Sequence, residues 1–148
     1  MSRLRRILHP TDFSPASRAS FARAVSMAKA ERAELLLVHV LMLQLAMAGD
    51  GYMSPKVYDD MEAAASKYGQ KRLNDLAVKA RKSGVRAKTL LLHGVADQQI
   101  IRAARSKKAD LVVIGTHGRT GLARLFLGSV ASRVVAGSHC PVLTVRGK

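Results

Sequence analysis

The chain has 148 residues and carries 25 Lys and Arg against 10 Asp and Glu, a formal net charge of +15. Hydrophobic residues make up 48% of the chain, which excludes the disordered class that lacks enough apolar surface to form a core. One domain over residues 1–148 is expected, since domain sizes cluster near about 100–150 residues. The single cysteine, Cys140, excludes an internal disulfide. Aromatic residues at 4%, with no Trp, argue against a base-stacking platform for single-stranded nucleic acid.

No segment has the pattern of a membrane span or a leader. The longest apolar stretch, residues 35–48, holds 14 residues and is interrupted by His39 and Gln44, whereas a spanning helix needs about 20. The basic start is similar to the first part of a signal peptide. Only Ile7 and Leu8 follow it before His9, so the hydrophobic part of such a signal is missing. These features predict a soluble, cytoplasmic protein.

The first elements in the chain are predicted to be a short buried strand and a helix. Ile7–His9 is an apolar run that Pro10 ends, as expected of a strand. Asp12 or Ser14 is predicted to cap the helix that follows, with Pro15 at its first position. The apolar residues that then recur at helical spacing are Phe21, Ala24, Val25 and Ala28.

A second strand and a long helix are predicted next. Glu34–Val40 is almost continuously apolar, which is typical of a strand covered on both faces of a parallel sheet. Residues 41–54 are aperiodic and predict a loop or a mobile helical start. Pro55–Ser83 predicts an amphipathic helix that Gly84 ends. The residues predicted to form its apolar stripe are Val57, Met61, Ala64, Tyr68, Leu73, Leu76 and Ala80.

The second half of the chain alternates strands with helices. Strands are predicted over Thr89–His93, Asp110–Gly115 and Pro141–Val145, and helices over Ala96–Ser106 and Gly128–Ala136. Such alternation indicates parallel strands joined by crossover helices. The predicted fold is therefore a single-domain, doubly wound α/β sheet.

The candidate site lies in the segments that follow the strands. Ligands of open parallel sheets bind beyond the carboxyl ends of the strands, where the strand order reverses. Residues 10–14 follow the first strand, and the glycine-rich segment 115–121 follows the fourth. Gly128 and Ser129 open the last helix, whose free N–H groups favour an anion, with Arg119 as a further donor. The pattern predicts a phosphate site, although neither Gly-x-x-x-x-Gly-Lys nor Gly-x-Gly-x-x-Gly occurs.

The glycine spacing, Gly115-x2-Gly118-x9-Gly128-Ser129, resembles the nucleotide motif of the universal stress protein family. The similarity extends over nearly the whole chain. It includes Ile7–Ser14, Leu37–Val40, Leu127–Ala131 and Cys140–Arg146. Two positions depart from the family pattern. His9 stands where a small or aliphatic residue is usual, with a ring that could reach the cleft, and Ala96 stands where a proline is frequent.

The resemblance implies five parallel strands in the order 3-2-1-4-5, a homodimer formed through the last strand, Val142–Val145, and binding of ATP with Mg²⁺. It places Asp12 and its loop beside the ribose and adenine, the backbone of Val40 against adenine, and the glycines and Ser129 around the phosphates. The positions carried over as nucleotide-binding are Pro10, Thr11, Asp12, Val40, Gly115, His117, Gly118, Arg119, Gly128, Ser129 and Val130.

The expected function is an ATP-binding stress-response or signalling module, with slow or no hydrolysis because Asp12 is the only acidic residue of the site loops. A slow ATPase is one alternative. The other is a polyanion or nucleic-acid binder, because residues 67–108 carry 12 basic residues against two acidic ones. Solvated helix faces are the more common explanation of such charge. Four strand-end histidines, His9, His39, His93 and His117, invite a metal site but lack short ligand spacing.

Overall fold

The computed structural model describes residues 3–42, 54–117 and 127–147. Within these ranges the chain forms five strands and four helices, and their bounds lie within about two residues of those predicted. In chain order they are β1 (Arg6–Pro10), α1 (Ser17–Glu31), β2 (Glu34–Leu41), α2 (Pro55–Lys82), β3 (Ala87–His93), α3 (Ala96–Ser106), β4 (Leu111–Gly115), α4 (Ser129–Gly137) and β5 (Val142–Val145). Most of the loop predicted after β2 lies outside the described residues.

All five strands are parallel and follow the order β3-β2-β1-β4-β5, which confirms the predicted doubly wound α/β fold. The strands are apolar on both faces because helices cover both. Leu35 and Leu37 of β2 pack in a core with α1 and α2. Leu36 and Val38 point the other way, into a core with α3 and α4. The alternation of side chains along a strand thus feeds two hydrophobic layers.

The start of α1 differs from the sequence prediction. The helix begins at Ser17, its N-cap residue is Ala16, and no side chain caps it. The Asp12 carboxylate instead accepts the Ser14 N–H at 2.9 Å, and the Ser14 carbonyl, rather than its side chain, accepts the Ser17 N–H at 3.0 Å. The predicted capping roles are therefore wrong, because Asp12 is used in a local turn that delays the helix past Pro15.

Only the second half of the predicted stripe on α2 is buried. Of its second half, Leu73 and Ala80 are buried and Leu76 is partly buried. In the first half, Val57, Met61 and Tyr68 are about half exposed, and Ala64 is exposed as well. The first half is exposed because α2 is longer than the sheet it packs on. A helix of 28 residues spans about 42 Å, whereas the eight residues of β2 span about 26 Å. The first turns of α2 therefore extend beyond the carboxyl edge of the sheet.

Candidate functional site

The carboxyl ends of β1, β2 and β4 lie side by side at one edge of the sheet. β2 and β3 lie on one side of β1, whereas β4 and β5 lie on the other. The strand order therefore reverses between β1 and β4, which is where open parallel sheets bind ligands. The predicted site segments leave the sheet at this reversal.

The loop after β1 is held by its own hydrogen bonds. The Thr11 N–H donates to the Val38 carbonyl at 2.8 Å, and the Thr11 hydroxyl accepts the Phe13 N–H at 3.0 Å. Phe13 itself has a φ of 63°, in the left-handed region that a bulky side chain rarely adopts. Such a conformation costs about 1–3 kcal/mol and persists only where the surroundings impose it.

Two residues from other elements fix this loop. The His39 ring packs against the Phe13 ring at a tilt of 38°, with centroids 4.4 Å apart, and its Nδ1 donates to the Thr11 carbonyl at 2.7 Å. On the other side, the Arg72 guanidinium lies 5.0 Å from the Phe13 ring centroid. Arg72 had no predicted role, because a residue of α2 and a loop 59 positions earlier share no local pattern.

The backbone of Val40 faces the space beyond the end of β1. Pairing between β1 and β2 ends at Pro10 opposite Val38, but β2 continues to Leu41 beside β3. Alternate residues of a strand direct their N–H and C=O groups to the same side. Because the Val38 carbonyl points toward β1, the Val40 peptide groups point the same way, past the last residue of that strand. The position suits recognition of a planar base edge.

The start of α4 lies against the exit of β4. The Gly128 N–H donates to the Thr116 carbonyl at 2.6 Å, and the Gly128 carbonyl accepts the Ser132 N–H of the first helical turn. The N–H groups of Ser129 and Val130 are among those that a helix cannot pair internally, and the helix dipole makes this end positive. The Val130 side chain packs into the second core, so its contribution to a site would come from the backbone.

Gly128 does not need to be glycine for its backbone conformation. Its φ of −58° and ψ of 156° are open to every residue. What the glycine provides is the lack of a side chain beside the first N–H groups of α4, so an anion can approach the backbone.

The remaining predicted positions are placed only in part. Gly115 ends β4, and a Cβ there would meet the Ser20 hydroxyl at an ordinary 3.4 Å. The His117 ring nitrogen Nδ1 lies 2.8 Å from the Thr116 hydroxyl. Gly118 and Arg119 lie outside the described residues.

His9 does not reach the cleft, so that expectation is wrong. Its ring is fully buried, packs 5.9 Å from the Phe21 ring centroid of α1, and bonds through Nδ1 to the Val113 carbonyl at 2.9 Å. Burial lowers the pKa of His9 to about 4, against the weaker opposing effects of that hydrogen bond and the Asp12 charge. The imidazole is therefore neutral at physiological pH.

The histidines do not converge on one ion. His9 and His39 bond to carbonyls of different segments, and His93 is half exposed at 3.9 Å from the Glu62 carboxylate. In the described ranges, no three His, Cys, Asp or Glu side chains are close enough together to bind a metal. The helices of these same ranges are all too short or too polar to span a bilayer.

The fold and the position of this edge define a doubly wound α/β protein. Its candidate ligand site lies at the switch point of the parallel sheet, where the strand order reverses between β1 and β4. The model of the universal stress protein family matches residues 3–146, so the chain belongs to that family.

Individual relatives agree with this assignment. Universal stress protein MJ0531 of Methanocaldococcus jannaschii is 36% identical over 142 residues, which cover 96% of this chain and 82% of that protein. Universal stress protein YxiE of Bacillus subtilis is 33% identical over 145 residues, covering 95% of this chain and 98% of that protein.

Solved structures show the same fold. That of MJ0577 from Methanocaldococcus jannaschii superposes with a TM-score of 0.86 at 22% identity and covers 99% of both chains. A universal stress protein in complex with cAMP has a TM-score of 0.69 at 24% identity, covering 99% of this chain and 100% of that one. One from Arabidopsis thaliana with AMP bound has a TM-score of 0.70 at 20% identity, covering 97% and 92%.

Proposed function

We propose that this protein binds ATP, together with Mg²⁺, at the carboxyl edge between β1 and β4, and serves as a nucleotide-dependent stress-response or signalling module with slow or no hydrolysis. The observation that carries the proposal is the 2.6 Å hydrogen bond from Gly128 to Thr116, which brings the positive end of α4 to the switch point of the sheet. The structures of relatives in complex with cAMP and AMP support an adenine nucleotide as the ligand.

The proposed adenosine half of the site lies on the β1 and β2 side. Adenine would meet the backbone of Val40, which faces past the end of β1. The ribose would lie beside Pro10, Thr11 and Asp12, in the loop that Arg72 holds in place.

The proposed phosphate half lies on the β4 and α4 side. The N–H groups of Ser129 and Val130, next to the bare backbone of Gly128, are suited to phosphate oxygens. Gly115 and His117 border the same exit, and Gly118 and Arg119 complete the proposed set from sequence alone.

The residues of this edge are better suited to binding a Mg²⁺–nucleotide complex than to hydrolysing it rapidly. Mg²⁺ commonly binds in such sites through the nucleotide phosphates and retains several water ligands, so it needs few ligands from the protein. Asp12 is the carboxylate of the β1 loop, and one of its oxygens is already used by the Ser14 N–H. Rapid hydrolysis requires a metal anchor and a group that orients water, and Asp12 would have to supply both.

The test compares Gly128→Leu with a matched control, Ala136→Leu, which adds the same side chain at an exposed position of α4. Calorimetric titration with Mg-ATP should show saturable binding to the wild type and the control. Gly128→Leu should weaken binding at least about a hundredfold, because a side chain would occupy the approach to the helix N–H groups. The fold should persist, since the backbone at Gly128 suits any residue.

Salt dependence separates this proposal from the nucleic-acid alternative. ATP binding at a built site should survive a moderate increase in salt, whereas a polyanion held by diffuse charge dissociates steeply. Gly128→Leu protein that binds Mg-ATP as tightly as the wild type would contradict the proposal.

A further inference from the structure

A second concave site lies at the opposite edge of the sheet, where the strands begin. It is an open depression of about 730 Å³ beside the amino ends of β1, β2, β3 and β4. Its cations are Arg3, Arg5, Arg6, Arg32, Arg86 and Lys108. We refer to these six residues, together with Glu34 and Asp110, as the basic basin.

Three of the cations have structural roles. The helices of an alternating α/β fold end at this edge, and their last carbonyls attract positive charge. Arg3 donates to the Glu31 carbonyl at the end of α1, and Arg6 donates to the Lys107 carbonyl just beyond α3. Arg86 donates in the same way to the carbonyl of Arg32.

Both carboxylates of the basin already have partners. Asp110 accepts the backbone N–H groups of Arg5 and Arg6 at 2.7 and 2.9 Å. Glu34 lies 3.5 Å from the Arg6 guanidinium and 3.3 Å from the Lys88 ammonium.

Three cations are left uncompensated. Among the described residues, the side chains of Arg5, Arg32 and Lys108 make no hydrogen bond or ion pair. Like charges gathered around one depression repel each other, so the arrangement favours a bound anion.

Two of these cations stand where the backbone disfavours them. Arg32 and Lys108 both have a φ of 55°, the left-handed conformation in which glycine or asparagine usually ends a helix. A long basic side chain at such a position has a conformational cost of about 1 kcal/mol. Two left-handed positions thus direct positive charge to the same depression, although neutral residues would suit the backbone better.

We propose that the basic basin binds a compact oligophosphate anion with at least three phosphate groups, independently of the proposed nucleotide site. Guanidinium and ammonium groups pair well with phosphate oxygens. Leu4 is the only apolar residue at the depression among those described, and no aromatic ring lines it there. A nucleic-acid base or a peptide side chain would find no stacking partner or apolar pocket.

The separation of the two sites follows from the sheet. The five residues of β1 run from the basin to the loop of Thr11, a distance of about 16 Å. One small anion cannot span both edges.

The experiment titrates the full chain with sodium tripolyphosphate by calorimetry in about 150 mM NaCl, where diffuse attraction is screened. The test variant is Arg32→Asn with Lys108→Asn, because asparagine accepts the left-handed conformation at both positions. The control is Lys67→Gln with Lys71→Gln, which removes the same charge from exposed positions of α2.

The wild type should bind tripolyphosphate saturably at the basic basin. The asparagine variant should weaken this binding by about tenfold or more, and the control by less than about twofold. The Gly128→Leu protein, in which the proposed phosphate half of the nucleotide site is blocked, should keep one saturable site for tripolyphosphate.

Four outcomes would overturn the proposal. They are no saturable binding by the wild type, equal weakening in the asparagine variant and the control, loss of binding in Gly128→Leu alone, and tighter binding of a DNA duplex of about 20 base pairs that the asparagine variant weakens. The second would mean diffuse attraction by the whole surface. The third would place tripolyphosphate in the nucleotide site, and the fourth would make nucleic acid the ligand.

Discussion

At the scale of single residues, His9 is an imidazole enclosed in the hydrophobic interior. It is fully buried, and one ring nitrogen bonds to the Val113 carbonyl. Among the described residues its Nε2 has no hydrogen-bond partner. Donation from Nδ1 to a carbonyl makes Nε2 the unprotonated nitrogen of the neutral ring. Protonation would place an unpaired charge inside the protein, which is why burial lowers the pKa to about 4.

His9 should make the protein less stable in mild acid. Its pKa is about 4 in the folded state and 6.5 in an exposed reference, so between these values only the unfolded chain takes up the proton. Stability is therefore complete above pH 6.5 and falls as the pH approaches 4. Between pH 7 and 4.5 the loss should be about 2 kcal/mol.

The measurement is urea unfolding over this pH range, with His9→Asn as the comparison. Asparagine can donate to the Val113 carbonyl but does not titrate. It should lower stability at pH 7, where it leaves a small void, and show a shallower pH dependence. Parallel pH profiles for the two proteins would show that His9 does not carry the effect.

At the scale of elements, β5 is an edge strand of four residues, and all four side chains are partly buried in the single chain. Its ladder with β4 uses alternate residues: the Val145 carbonyl accepts the Thr116 N–H, and the Pro141 carbonyl accepts the Val112 N–H. The peptide groups of Val142 and Thr144 therefore face away from the sheet. An edge of this kind is a ready template for pairing with a second copy, which fits the homodimer through Val142–Val145 that the family resemblance implies.

Thr144→Pro should dissociate that dimer and leave the fold intact. Proline removes an N–H that points away from β4, and edge strands tolerate it there. Leu143→Pro is the matched comparison, since it removes an N–H of the ladder itself and should destabilise the protein by about 3 kcal/mol. Light scattering coupled to gel filtration gives the mass of each variant. A wild type that runs as a monomer, or a Thr144→Pro variant that stays dimeric, would contradict this interface.

At the scale of the whole molecule, the sheet separates two proposed anion sites. The carboxyl edge presents backbone N–H groups of α4, whereas the amino edge presents the side chains of the basic basin. Both lie in a chain with a net charge of +15. Self-repulsion at such a charge disfavours the compact state, and dissolved ions reduce it.

Salt should therefore stabilise the folded protein. Raising NaCl from about 10 to 200 mM should increase stability by about 1–2 kcal/mol and Tm by a few degrees. The increase should be smaller in the Lys67→Gln, Lys71→Gln variant, which lacks two of the positive charges. Thermal melts followed by circular dichroism measure both, and a Tm that is flat or falls with salt would show that repulsion is not a significant factor.

Much of the fold was determined by the sequence itself. Apolar runs such as Glu34–Val40 and the alternation of strands with helices predicted the elements, because local hydrogen bonding and periodic burial depend on residues that are close together in the sequence. The strand order came from the resemblance to a family rather than from the residues. For the site, the ends of the predicted strands indicated which segments to consider, whereas the nucleotide-binding role of the glycine motif stays a prediction.

Contacts between distant segments were decided only by the tertiary structure. Arg72 reaches Phe13 from α2, and the burial of His9 depends on the packing of α1 against the sheet. The length of α2 beyond the sheet left half of its predicted stripe exposed. The basic basin brings together residues from the starts of four strands, and these residues form no motif in the sequence. Such arrangements depend on how the helices and strands pack against one another, so a local sequence pattern does not encode them.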